Sequence, residues 1–576
     1  MRLPLFGYTT RMEIFSLLLA CVATVALAAP SDGLHGRVTG LERISAANAR
    51  GDESGRTWRG TAWRNERVHM PFVVWGDSAH PLGFRASALK GPGGAKLPLE
   101  VRWVGEVIAD DRPHGAAVDP VRYPEYLVGD VLETSQPFHL TAAGYRAVWT
   151  KARTTAATPP GVYRGTLEVT DTVTSSSVGF DLELEVLSAT LPEKKAFHLD
   201  IWQTPWTISR YYRVEPFSPE HFAKMEPFLR ELADAGQKVI TTTITDYPWN
   251  KRENIDSARS MVRYVRSADG SYAADFTVMD RYVAFAESCG IGPEIHCYAP
   301  VKFEGGTSYY YIDGTTGEER MLDLMPGTSD YEAYWGPLLS QLEAHAAAKG
   351  WTGRLYIALD EKSPAETAQT ADLIARYAPS AKLHMSGNSS PDKFSGLRID
   401  GFSQQLGTQE MTETFLSGLA ARRRRGLYTT FYTCCVPFRP NAMPMNPLYE
   451  QRWLGFYAAA KGFDGYLKST FFRWPVNTDP LVDTHCYPSF PCGDSFLVYP
   501  GPRLSLRWES LVDGIEDAEK IRILREARAL TPALETALRN FDMKNFSPEA
   551  SEGPDKTVAR ALGALEEASR LYSAGR

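Results

Sequence analysis

Between Ala196 and Phe471 the chain repeats one unit eight times: a short apolar or β-branched run, then an amphipathic stretch. The runs are Ala196 to Ile201, Lys238 to Thr245, Pro293 to Tyr298, Leu355 to Leu359, Lys382 to Ser386, Gly401 to Gln405, Leu427 to Thr433 and Gly465 to Phe471. The intervening stretches include Pro219 to Ala235, Val278 to Ser288, Tyr331 to Lys349, Pro364 to Tyr377, Glu410 to Arg424 and Leu448 to Lys461. Each is long enough for the crossover helix that a parallel strand pair requires. Eight such alternations predict a closed (β/α)8 barrel rather than an open sheet. Further helices are expected over Trp508 to Leu530 and Lys556 to Tyr572.

The chain before Pro192 has a different rhythm. Val68 to Trp75, Leu97 to Val104, Tyr145 to Ala152, Tyr163 to Thr170 and Val178 to Leu187 read as strands. In the last, Phe180, Leu182, Leu184 and Val186 alternate with Asp181, Glu183 and Glu185, which buries one face and wets the other. Pro159-Pro160-Gly161 supplies turn chemistry between two such runs. The expected fold is therefore an antiparallel β-sandwich over residues 31–192, a (β/α)8 barrel over 193–545 and a C-terminal helix within 546–576.

Residues 1–28 read as a signal peptide. Arg2 and Arg11 precede the apolar stretch Ile14 to Ala29, which ends on the small-residue pattern Ala26-Leu27-Ala28. Export with cleavage after Ala28 is expected, to the periplasm or the medium, with no membrane-spanning segment left; lipid attachment at Cys21 is the less favoured alternative. The formal charge of −7 offers no basic surplus for binding nucleic acid. Six cysteines remain after cleavage, too few for a disulfide-built scaffold, with Cys486 and Cys492 the pair most readily bridged. Cys434-Cys435 reads as structural, and the run Arg422 to Arg425 as a solvated helix end. The eleven histidines are scattered and neither a CxxC pair nor an HExxH helix occurs, so no metal and no cofactor are expected.

In a barrel of this kind the active residues lie at the C-terminal ends of the strands. Those ends carry Trp202 and Trp206, Asp246 and Tyr247, His296 and Tyr298, Asp360 and Glu361, His384 and Asn388, Gln404 and Gln405, Tyr432, and Trp474. Aromatic faces that cover the apolar side of a sugar, combined with polar groups that fix its hydroxyls, suit a carbohydrate. The sharpest signal is LYIALDE, a buried run that stops on Asp360-Glu361. Ser363, Pro364 and Glu366 then read as N-cap, first and third residues of the next helix. Two consecutive acids are badly placed to straddle a scissile bond, as a glycosidase with its own nucleophile requires. They are well placed if Glu361 protonates the leaving oxygen while Asp360, ionised, orients a substrate acetamido group whose carbonyl oxygen attacks the anomeric carbon.

The stretches AWRNERV (Ala62 to Val68), PPGVYRG (Pro159 to Gly165), LYIALDE, FYTCCVP (Phe431 to Pro437), GFDGYL (Gly462 to Leu467) and YPGPRLSLRWESLVDGIEDAEKI (Tyr499 to Ile521) resemble glycoside hydrolase family 123. The resemblance implies β-N-acetylgalactosaminidase activity, with Glu361 as acid/base, Asp360 as acetamido-orienting group, and a glycan or glycolipid as substrate. Two departures stand out: Lys362-Ser363 before Pro364, and Lys468-Ser469-Thr470 where an aromatic often follows, with Lys468 a candidate modifier of sugar choice. In the last motif, Arg507, Glu509, Asp513, Glu516 and Asp517 are expected in structural ion pairs. Two other readings stay open: a glycosidase pairing Glu361 with Asp246 or Asp494, and a non-catalytic carbohydrate-binding surface protein.

Overall fold

The computed structural model describes residues 33–249, 258–476, 478–487 and 489–575. The proposed signal peptide and Cys21 lie outside the described residues. No described helix is long and apolar enough to cross a membrane.

The N-terminal part, from His35 to Thr190, is a sandwich of two sheets. One runs, in order, His35–Val38, Arg67–Trp75, Tyr145–Arg153, Glu100–Ala109 and Tyr126–Glu133, antiparallel throughout. The other places Gly161–Asp171 beside Ser177–Thr190, and here Thr57–Arg64 joins the edge in parallel, a departure from a wholly antiparallel sandwich. The run expected from Leu97 to Val104 is two strands, Lys96–Leu97 in one sheet and Glu100–Ala109 in the other. Pro98 lacks the N–H a ladder needs, and the chain changes sheets there. The alternation in Ser177–Thr190 holds: Phe180, Leu182, Leu184 and Val186 are buried in the sandwich core.

The eight expected barrel strands all form, as His198–Ile201, Val239–Thr243, Glu294–Tyr298, Leu355–Asp360, Lys382–Gly387, Gly401–Gln405, Tyr428–Thr433 and Gly465–Lys468. Seven neighbouring pairs are parallel ladders. The remaining seam, between the first and second strands, is closed largely by side-chain amides. Gln237 accepts from Ile201 N–H at 2.9 Å and donates to the Ile201 and Val239 carbonyls at 3.1 and 2.8 Å, while Gln203 accepts from Thr241 N–H at 2.9 Å. A short backbone bond, Lys238 N–H to Leu199 at 2.9 Å, completes it.

Two hairpins on the loops after strands two and three were not evident in the sequence. Arg263–Arg266 with Tyr272–Asp275, and Ser308–Asp313 with Glu319–Asp323, join into one four-stranded sheet. Each strand is too short to show a period.

The helix Leu506–Glu526 docks barrel against sandwich, and its charges are paired as expected. Arg507 reaches Asp130 at 2.9 Å, Glu509 meets His69 and Lys151 at 3.0 and 2.9 Å, and Asp513 meets His69 at 2.7 Å. Glu516 lies 3.4 Å from Lys195 and Asp517 2.7 Å from Arg452. Burial works against a charge on His69, but Asp513 and Glu509 outweigh it and push the imidazole up to about 9.

Candidate active site

Asp360 is the last residue of barrel strand four, and Glu361 turns the chain out of the sheet with φ of +48°. A glutamate in the left-handed region costs about 1 kcal/mol or more, and such outliers persist where surrounding structure over-determines them. Here it does on both sides. Glu361 N–H donates to Ser386 of strand five at 2.7 Å. Two residues on, Ser363 caps the helix Pro364–Tyr377 in a capping box with Glu366, as the sequence predicts. The carboxylate of Glu361 accepts from the Tyr432 hydroxyl at 2.6 Å and, more loosely, from Asn388 at 3.5 Å.

Asp360 lies among Glu361, Lys362, Trp249 and Arg473. Burial raises its pKa to about 8, and the adjacent Glu361 charge adds to the rise; Lys362, a donating Trp249 and Arg473 partly offset both. Burial and the Glu361 charge both favour the protonated form, whereas the expected acetamido-orienting role calls for the carboxylate. Burial is the larger cause of the rise, and the sequence does not display it.

The floor is aromatic. Trp202 packs against Tyr298 and Trp249 with ring centroids 4.9 and 5.0 Å apart, beside the dyad. Tyr247 lies near Tyr310 of the added sheet, with the Arg259 guanidinium over both rings.

Several predicted residues have other work. His296 and His384 are fully buried one layer below, His296 bound to Glu294 at 3.0 Å and His384 to Tyr428 and Ser386 at 3.0 and 3.2 Å. Burial and the neighbouring His296 push His384 well below the usual imidazole range, so it is a neutral support. Their ring nitrogens and an Asp200 oxygen lie within 4.8 Å of one another, yet both His384 nitrogens already have hydrogen-bond partners. Asp246 is ion-paired to Arg259. Gln404 donates to Thr408 at 2.8 Å, while its neighbour Gln405 stands in register with Tyr432 and shares its face. The two-residue period of a strand separates them. Trp474 is fully buried with its indole N–H on Val498 at 2.7 Å and is core rather than a sugar platform, whereas Trp206 packs on Phe217 and lines a cavity together with Trp249. Lys468 is fully buried against Asn441 and Asp494 at 3.1 and 3.3 Å. Trp249, Arg473 and Ser386 lie beside the pair and went unnoticed: Trp249 and Arg473 are a few residues past the expected strand ends, and Ser386, itself an expected strand end, contributes its backbone carbonyl to Glu361 N–H, which no side-chain reading shows.

The family model for the glycoside hydrolase 123 catalytic domain matches residues 202–524, and that for the family's N-terminal domain matches 45–171. A family 123 glycoside hydrolase from Clostridium perfringens, studied for its hydrolysis of glycolipid glycans, superposes with a TM-score of 0.84 at 22% identity, covering 94% of this chain and 99% of its own. A β-glucuronidase from Parabacteroides merdae aligns over 85% of this chain and 52% of its own at 8% identity, with a TM-score of 0.29 that carries no argument. No curated protein matches. The catalytic-domain match spans more than half of the chain, which thus belongs to glycoside hydrolase family 123.

Proposed function

We propose that this glycosidase is exported and removes terminal β-linked N-acetylhexosamine, N-acetylgalactosamine above all, from a glycan or glycolipid, with the substrate's acetamido oxygen as nucleophile. The carrying observation is the adjacent pair Asp360-Glu361, the second acid held by Tyr432. The acids that a conventional double displacement would recruit are engaged: Asp246 by Arg259 and Asp494 by Lys468.

In this mechanism the pair works with one shared proton, and its apparent pKa values belong to both groups. An acetamido N–H donated to Asp360 favours its carboxylate, so the proton passes to Glu361. Glu361 protonates the leaving oxygen as the acetamido carbonyl closes on the anomeric carbon, and ionised Asp360 offsets the positive charge that develops. Glu361, now a base, takes a proton from the water that opens the cyclic intermediate, and the anomeric configuration is retained. The relative from Clostridium perfringens supports a glycolipid glycan as substrate.

The test is release of 4-nitrophenol from the β-N-acetylgalactosaminide, β-N-acetylglucosaminide and β-galactoside. Turnover confined to the acetamido sugars, and reduced about 10²–10⁴-fold in both Asp360→Asn and Glu361→Gln, is expected. Efficient cleavage of the galactoside would contradict the reading. A mature N-terminus near Ala29, read by mass spectrometry, checks the export step.

A further inference from the structure

Asp110 follows the sandwich strand Glu100–Ala109, while His485 and Cys492 lie in the loop after barrel strand eight, up to 382 positions away. Three of their atoms form a nearly regular triangle: Cys492 Sγ to His485 Nε2 at 3.3 Å, Sγ to Asp110 Oδ1 at 3.5 Å, and Nε2 to Oδ1 at 3.4 Å. A tetrahedral zinc with Zn–S of about 2.3 Å and Zn–N or Zn–O of about 2.05 Å separates its ligands by about 3.6 Å for S–N and S–O and about 3.4 Å for N–O. The triangle is one face of that tetrahedron, before any ion has drawn the ligands together.

The surroundings suit a cation as well. Asp483 Oδ1 stands 3.4 Å from His485 Nδ1, the outer carboxylate that fixes a ligating histidine and leaves Nε2 for the metal. Asp110 N–H donates to Cys492 Sγ at 3.2 Å, a bond that suits a thiolate, and Arg112 N–H donates to Asp110 Oδ1 at 3.0 Å. Together the three offer a cation one sulfur, one nitrogen and one oxygen ligand at once. Cys492 is fully buried and His485 is partly open, so solvent reaches the cluster from the His485 side. Cys486 and Cys492, the pair most readily bridged from the sequence, are not joined by a disulfide, and Cys486 donates to the Arg473 carbonyl at 3.1 Å.

We propose that Asp110, His485 and Cys492 bind a zinc ion that pins the loop after barrel strand eight to the sandwich. Backbone bonds already bring the two together, Ile108 N–H to Leu481 at 3.0 Å and Gly115 N–H to Ser489 at 2.9 Å. The same loop begins beside Arg473, which lies in the field of Asp360, so the ion steadies one wall of the active site without taking part in the reaction.

The experiment uses the mature protein, loaded with Zn²⁺ alone and dialysed, with metal content read by mass spectrometry and a parallel sample loaded with Co²⁺. About one zinc per chain and a sulfur-to-cobalt charge-transfer band are expected, both lost in Cys492→Ser and in His485→Gln. Asp483→Asn weakens zinc binding about 10- to 100-fold. His485 is partly exposed, so His485→Gln gives a folded variant should Cys492→Ser misfold, with circular dichroism as the check. No zinc above background in wild type, or a zinc content and cobalt spectrum unchanged in folded His485→Gln, would overturn the proposal.

Discussion

At the residue scale the proposed mechanism rests on where one proton sits. With the last proton of the Asp360-Glu361 pair leaving near the Asp360 value of about 8, kcat/KM should fall above about pH 8. Initial rates across pH check this, and a plateau extending well past that point would contradict it. The same burial that raises Asp360 destabilises the fold. A carboxyl whose folded pKa exceeds its ordinary 3.8 binds a proton that the unfolded chain has lost, so stability falls as pH rises from about 4 to about 8. Asp360→Asn should therefore raise stability at about pH 9, by roughly 2 kcal/mol once solvent at its open face is allowed for, and change it little at about pH 4. Parallel thermal melts of wild type and variant measure the difference. Tyr432→Phe removes the 2.6 Å bond to Glu361 and should lower kcat about tenfold with KM little changed.

At the element scale, what was legible follows from local chemistry. The helices Pro219–Ala235, Pro364–Tyr377 and Leu448–Lys461 begin and end where the sequence predicts, because Ser218-Pro219, Ser363-Pro364 and Pro447 mark their starts and Gly236 and Gly462 end two of them in the left-handed region. Ser363→Ala should cost about 1 kcal/mol in a denaturant titration and loosen the turn that sets Glu361. The added four-stranded sheet was not legible, since its register depends on a partner hairpin tens of residues away. Gln404 and Gln405 show a second limit: strand ends can be read from composition, but which neighbour faces the axis depends on register. Trp474 shows a third, because a tryptophan at a barrel mouth reads alike whether it lines the opening or packs under the loops.

For the whole molecule, the sandwich and barrel are joined through buried charge, so neither half is indifferent to the other. Asp130 is fully buried and paired with Arg507 at 2.9 Å and Arg43 at 3.1 Å. Arg507→Met leaves that carboxylate short of a partner and should cost about 3 kcal/mol, more than most surface changes, as read by chemical denaturation. His69 adds a pH term of the opposite kind to a carboxylate under attack by acid. With its folded pKa near 9 against an ordinary 6.5, its contribution is complete below about pH 6.5 and lost as pH rises through about 9. The division of the chain into a two-sheet half and an eight-strand half was plain from hydrophobic rhythm alone, whereas this seam was visible only as a run of charges in one helix.

The central claim is that the substrate supplies its own nucleophile. Its most direct test compares kcat/KM for 4-nitrophenyl β-N-acetylgalactosaminides whose acetyl group carries zero, one, two or three fluorines. Fluorine withdraws electrons from the carbonyl oxygen, so a steep, progressive fall across the series is predicted. A rate indifferent to fluorine would mean that a group of the protein attacks the sugar, and would contradict the account.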